Sequence, residues 1–107
     1  MTYTLTDYST SEQSTGKKWI NGKPIYCKIY EGLNLVLDNE QWKNSTISKD
    51  NMEQIIFSFG IRDNDNAVFT IDGARIVNTN YVQFVYYSGS YPNPINKVYL
   101  EYTKTTD

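Results

Sequence analysis

The sequence predicts an all-β protein, an antiparallel β-sandwich with a jelly-roll-like character and about seven or eight short strands. Three observations carry this. Ten tyrosines, two tryptophans and four phenylalanines among 107 residues suit a pleated, half-buried surface better than a helix. Apolar residues recur at period two in several stretches, the spacing that puts them on one face of a strand. Turn residues interrupt those stretches at short intervals, which argues packed antiparallel sheets, with a closed barrel as the second architecture.

Residues 1–17 are polar and read as a lead-in segment, with a single domain over 18–107. Ser9-Thr10-Ser11-Glu12 has the form of a capping box, but a polar stretch follows, so at most one helical turn is predicted. The segment reads as running extended over the surface, where Tyr3, Leu5 and Tyr8 would tie part of it down, or as leading in from something else. Asn21-Gly22 is a two-residue hairpin turn, since both residues tolerate positive φ. Pro24, lacking a backbone donor, suits the first position of a strand. Ile25, Cys27 and Ile29 then alternate with Tyr26, Lys28 and Tyr30, giving a strand over 24–30 with the first three as its dry face. Leu33, Leu35 and Leu37 predict a second strand. Residues 38–52 read as a polar loop around Trp42, with room for a turn of helix at 48–52.

The clearest strand is 53–61, with Ile55, Phe57, Phe59 and Ile61 on one dry face and Ser58 and Gly60 opposite. A turn at 62–66 leads to a short strand at 67–71. Asp72-Gly73 is another turn signal, followed by a strand at 74–77. Residues 81–87 form a strand rich on both faces. Gly89, Pro92 and Pro94 mark 88–96 as a loop with Tyr91 at its tip. In 97–103, Val98, Leu100 and Tyr102 alternate with Tyr99, Glu101 and Thr103.

Composition excludes several functions. The length suits one domain that buries roughly 65% of its unfolded surface and so folds without staples. A single cysteine allows no intrachain disulfide and no four-thiolate metal site; Cys27 reads as a small buried hydrophobe. Histidine, the commonest general base and metal ligand, is absent. Net charge is −2, from 10 basic and 12 acidic residues without a basic stripe, so nucleic acid is not an expected partner. No run reaches the length of a membrane span and no signal peptide is visible, so membrane insertion is not expected and Asn44-Ser45-Thr46 is read as a chance glycosylation pattern. Asp63 and Asp65 alternate as in a calcium loop, but the glycine and distal glutamate of such a loop are missing, so hairpin-turn chemistry explains them. Asp38, Glu40, Asp63, Asp65 and Asp72 could in principle pair for glycoside hydrolysis, yet all fall in turns where carboxylates serve the backbone. No enzyme, cofactor or metal is expected.

Two blocks go beyond generic strand chemistry: Tyr8-Ser9-Thr10-Ser11-Glu12-Gln13, Gly16 and Trp19 through Lys28 at one end, and Leu100-Glu101-Tyr102-Thr103-Lys104-Thr105-Thr106-Asp107 at the other. Together they resemble the C-terminal domain of tail-fibre and tail-tip proteins of phages and prophages of Gram-positive and gut bacteria. There, a Y-S-T-x-E-Q lead-in precedes a W-x-[DN]-G-K-P-[IL]-Y strand, and the domain closes on Y-T-K-[TS]-[TS]-D. The resemblance spans roughly residues 8–107. It implies a virion module at the distal end of a longer, usually trimeric protein, made in the host cytoplasm, whose β-sandwich head touches the host surface and often its glycans. It supplies no binding or catalytic residues.

Candidate contacts therefore come from the residues themselves. Exposed aromatics stack on sugar faces while amide and carboxylate oxygens bind hydroxyls. Trp42 in one long loop, and Tyr86, Tyr87, Tyr91 and Asn93 in or beside the other, form the expected ligand-binding set for a bacterial surface glycan or protein receptor. The opposing expectation is that they pack the loops or fill a seam in a homotrimer that is purely architectural. Trp19, beside the hairpin turn, reads as a structural anchor. A carbohydrate-active enzyme or accessory module stands third.

Overall fold

Backbone pairing divides the chain between two sheets. The computed structural model describes residues 9–76, 80–87 and 94–107. Its strands are β1 (Gln13–Lys18), β2 (Pro24–Tyr30), β3 (Lys43–Ser48), β4 (Met52–Ile61), β5 (Val68–Thr70), β6 (Gly73–Ile76), β7 (Tyr81–Val85) and β8 (Lys97–Lys104). A five-stranded sheet has the order β1-β2-β8-β4-β5 and a three-stranded sheet the order β3-β7-β6, with every pairing antiparallel. This is the expected all-β architecture, consistent with a β-sandwich. No helix occurs among the described residues, so neither the turn at 9–12 nor that at 48–52 is helical. The second is a β-turn closed by Met52 N–H to Lys49 O (2.8 Å), with Asn51 at φ 61°.

β8 is the strand on which the larger sheet is built, bonded to β2 on one side and β4 on the other. Its alternation holds as read: Val98, Leu100 and Tyr102 enter the core with Leu33, Leu35, Leu37, Ile47, Met52, Ile71, Val82, Phe84 and Ile95. The three leucines of 33–37 are buried as expected, but they do not form a ladder strand. Asn34 stands at φ 46°, which breaks the extended run, and a single bridge joins Leu35 to Ile95.

Two strands lie where none was expected. β1 includes residues of the polar lead-in; it is an edge strand in which only Thr15 is buried, its hydroxyl donating to Ile25 O (2.9 Å). β3 runs through the segment read as a loop. Its inward positions are Ser45 and Ile47, and a serine there hides the period-two signal.

The apolar stripes also face differently from expectation. β4 carries a bulge: Ile55 pairs with Tyr102, but Phe57 pairs with Glu101. The extra residue flips the strand's faces, so Ile55 packs on the core while Phe57 is 51% exposed. Phe57 and Phe59 instead join Tyr99 on the outer face, with Phe59 stacked on Tyr99 at 4.7 Å. Likewise Tyr26 and Tyr30 of β2 pack against the core, and Ile25, Cys27 and Ile29, read as its dry face, line the sheet's other side. Both faces of the larger sheet are thus apolar.

Gly60, buried on β4, leaves room for the Phe69 ring; a Cβ there would lie 2.1 Å from Phe69 Cζ. At the first hairpin, Trp19 N–H bonds Lys23 O (2.9 Å) and Gly22 N–H bonds Trp19 O (2.9 Å). Only Gly22 of the Asn21-Gly22 pair has positive φ, so the turn centres on Ile20-Asn21, and Ile20 becomes its apex.

Candidate functional site

The outer face of the three-stranded sheet brings together residues distant in sequence. A turn precedes β3, with Asn39 and Glu40 both in the left-handed region (φ 56° and 55°) and Gln41 N–H bonded to Asp38 O. It delivers Trp42 to the start of the strand. Trp42 there crowds Gly73 of β6: a Cβ at Gly73 would meet Trp42 Cη2 at 2.7 Å and Val85 Cγ1 at 2.9 Å. The glycine is what lets the half-buried indole lie against the sheet. The Arg75 guanidinium sits 4.0 Å from the Trp42 ring centroid, a cation–π contact.

One step along the strands runs a polar row. Asn44, Gln83 and Arg75 are direct cross-strand partners on β3, β7 and β6. Arg75 Nε–H donates to Gln83 Oε1 (2.9 Å), and Gln83 Nε2–H donates to Asn44 Oδ1 (2.8 Å). The chain of bonds fixes each amide's orientation. An aromatic ring beside a cation and two oriented amides is equipped to stack on a pyranose face and bind its hydroxyls.

The expected site residues separate in space. Trp42 is on this face. Tyr87 is 54% exposed, its N–H held by Asp72 Oδ2 (2.6 Å), one residue from Gly73. Tyr86 is half-buried and packs on the core. Tyr91 and Asn93 lie outside the described residues, as do Tyr3, Leu5 and Tyr8. Asn44, Gln83 and Arg75 were not singled out from sequence, because only the pairing through β3 makes them neighbours.

A second polar cleft, about 270 Å³, is lined by residues including Glu12, Lys28, Tyr30, Asp50, Tyr102 and Lys104. Here the two terminal sequence blocks meet. The Tyr102 hydroxyl donates to Glu12 Oε1 and the Lys104 ammonium to Glu12 Oε2. Burial pushes the Glu12 carboxyl up, but the bonds from Lys104 and Tyr102 outweigh it and hold it below its ordinary value. Lys104 is raised, chiefly by its bond to Glu12. Tyr102 is raised strongly, by burial first and then by its bond to Glu12.

Of the turn carboxylates, Asp38, Asp63, Asp65 and Asp72 each serve a structural partner. Asp38 lies 2.9 Å from Lys43. Asp65 binds Arg62 and accepts the Ala67 N–H, Asp63 accepts from Asn96, and Asp72 holds Tyr87. Among the described residues no group of three or more cysteine, aspartate or glutamate side chains could hold a metal ion. Cys27 is buried, and burial pushes its thiol up. No helix among the described residues is long and apolar enough to cross a membrane. The chain matches no protein-family model, and neither a curated protein nor a solved structure is detectably similar to it.

Proposed function

We propose that this chain is a non-enzymatic adsorption module that binds saccharide on a bacterial surface through the outer face of its three-stranded sheet. The observation that carries this is the alignment of Trp42, seated on Gly73 and against Arg75, with the hydrogen-bonded row Asn44–Gln83–Arg75. In this reading, supported by the resemblance of the terminal blocks to phage tail-fibre head domains, the module stands at the distal tip of a virion, in a homotrimer. Several weak sites presented together would then gain by avidity. The architectural alternative, a trimerisation or capping domain without a ligand, is favoured by the apolar outer face of the larger sheet.

Binding of the purified protein to candidate gut bacteria and to a glycan array separates the two. Trp42→Ala is expected to weaken binding about tenfold, the equivalent of ~1.4 kcal/mol, with an unchanged circular dichroism spectrum. Gly73→Ala should weaken it too, by displacing the indole. A folded protein that binds no cell or glycan leaves the architectural role, and binding indifferent to both substitutions overturns the assignment to this face.

A further inference from the structure

We infer that copies of this chain associate head to tail, the β1–β2 hairpin apex of one copy seating in an apolar groove at the far end of the next copy's larger sheet. This is independent of the saccharide assignment, since it uses neither Trp42 nor its sheet.

The projecting part is Ile20. It is 91% exposed, more than any other large apolar residue described. Its turn is held by the two backbone bonds across Trp19–Lys23 and by Lys23 N–H to Asn21 Oδ1 (3.0 Å). An isoleucine fixed at a rigid apex presents a preformed apolar knob.

The receiving part is a groove of about 490 Å³ walled by Ile29, Phe59, Ile61 and Val68. Val68, on the three-residue edge strand β5, is 65% exposed. An open apolar concavity on a sheet face is normally a covered surface. It cannot be covered by the same molecule's hairpin. The hairpin adjoins Pro24, and the groove adjoins Tyr30 at the other end of β2, roughly 20 Å away at about 3.3 Å per residue.

Charge selects a second copy as the occupant. Lys17 and Lys18 flank the knob and are exposed; nearby Lys23 is neutralised by Glu53 at 2.5 Å. At the same end Lys104 is paired with Glu12 and Asp107 lies beside Tyr26, so among these described groups one lysine remains in excess and the hairpin end is weakly basic. At the groove end, Glu31 lines the wall opposite Lys97, and the adjoining turn carries Asp63 and an Asp65 paired with Arg62 at 2.6 Å. Among these described groups a carboxylate remains in excess. Basic knob and acidic groove are complementary, which steers one onto the other. Because the two surfaces differ, the contact is heterologous and either closes into a ring or propagates.

Sedimentation and light scattering at up to about 1 mM chain, where weak contacts are populated, test this with Ile20→Asp and Val68→Arg. Both positions are exposed, and circular dichroism checks that each variant folds. The wild type should exceed the monomer mass, less so at high salt, and each variant alone should be monomeric. An equimolar mixture of the two should form a species of two chains, because each retains the half that the other lacks. A wild type that stays monomeric overturns the proposal, as does an Ile20→Asp protein of unchanged mass. If both variants dissociate but the mixture stays monomeric, the face pairs with itself or with another ligand, and head-to-tail contact is excluded.

Discussion

A hydroxyl in a protein core is tolerated when its hydrogen bonds are complete, and Ser45 meets that condition twice. It donates to Val82 O (2.7 Å) and accepts the Ile47 N–H (3.1 Å). Ser45→Ala should cost about 1–2 kcal/mol in urea unfolding, because it leaves buried backbone groups with fewer partners. Gly60 is constrained by volume instead of polarity. Gly60→Ala should cost about 1–3 kcal/mol, since the Phe69 ring must leave its seat; an unchanged unfolding midpoint would show that the ring relocates freely. These two residues also mark a limit of inference from sequence. Glycine and serine report neither burial nor contact by type, so β3 and the close approach of Phe69 were illegible in the chain. Thr15 on β1 is a third case.

Among the elements, β4 shows how alternation can be right in period and wrong in face. Ile55, Phe57, Phe59 and Ile61 form one stripe in the sequence, but the bulge before Phe57 divides it between the core and the outside. Ile55→Ala should therefore destabilise by about 2–4 kcal/mol and Phe57→Ala by clearly less, although phenylalanine is the larger side chain. Equal losses would mean the bulge is absent. The existence of β2, β4 and β8 was legible because each is long and strongly patterned. The inner and outer sides of β2 and β4 were not: Tyr26 and Tyr30 turn apolar rings to the core although their hydroxyls read as polar, and the bulge in β4 leaves no mark in the sequence. The candidate site was legible only at Trp42. Its polar partners converge through cross-strand register, which no local pattern encodes.

For the whole molecule, the contact between Glu12 and the Tyr102–Lys104 pair ties the first strand's approach to the final strand, 90 residues apart for Glu12 and Tyr102. Its pH dependence follows from the directions of the shifts. Glu12 is depressed in the folded state, so its contribution is present above the ordinary carboxylate pKa of about 4.5 and is lost as pH falls through the lowered value. Lys104 and Tyr102 are raised, so theirs is present below about pH 10 and is lost as pH rises through the raised values. Stability should be flat near neutrality and fall at both extremes. Glu12→Gln should lower the plateau by about 1 kcal/mol, as for a partly exposed pair, and flatten the acid limb. An acid limb unchanged in that variant would assign it to other carboxylates.

The central place of β8 also sets a timetable. Neither β2 nor β4 has its principal partner until Lys97–Lys104 has left the ribosome, whatever sequence comes after it. Through most of synthesis the emerged polypeptide must carry two unpaired strand edges and an uncovered apolar surface, the state most prone to aberrant pairing. A nascent chain halted before Lys97 should thus be protease-sensitive throughout, and protection should arrive abruptly once β8 is clear of the exit tunnel.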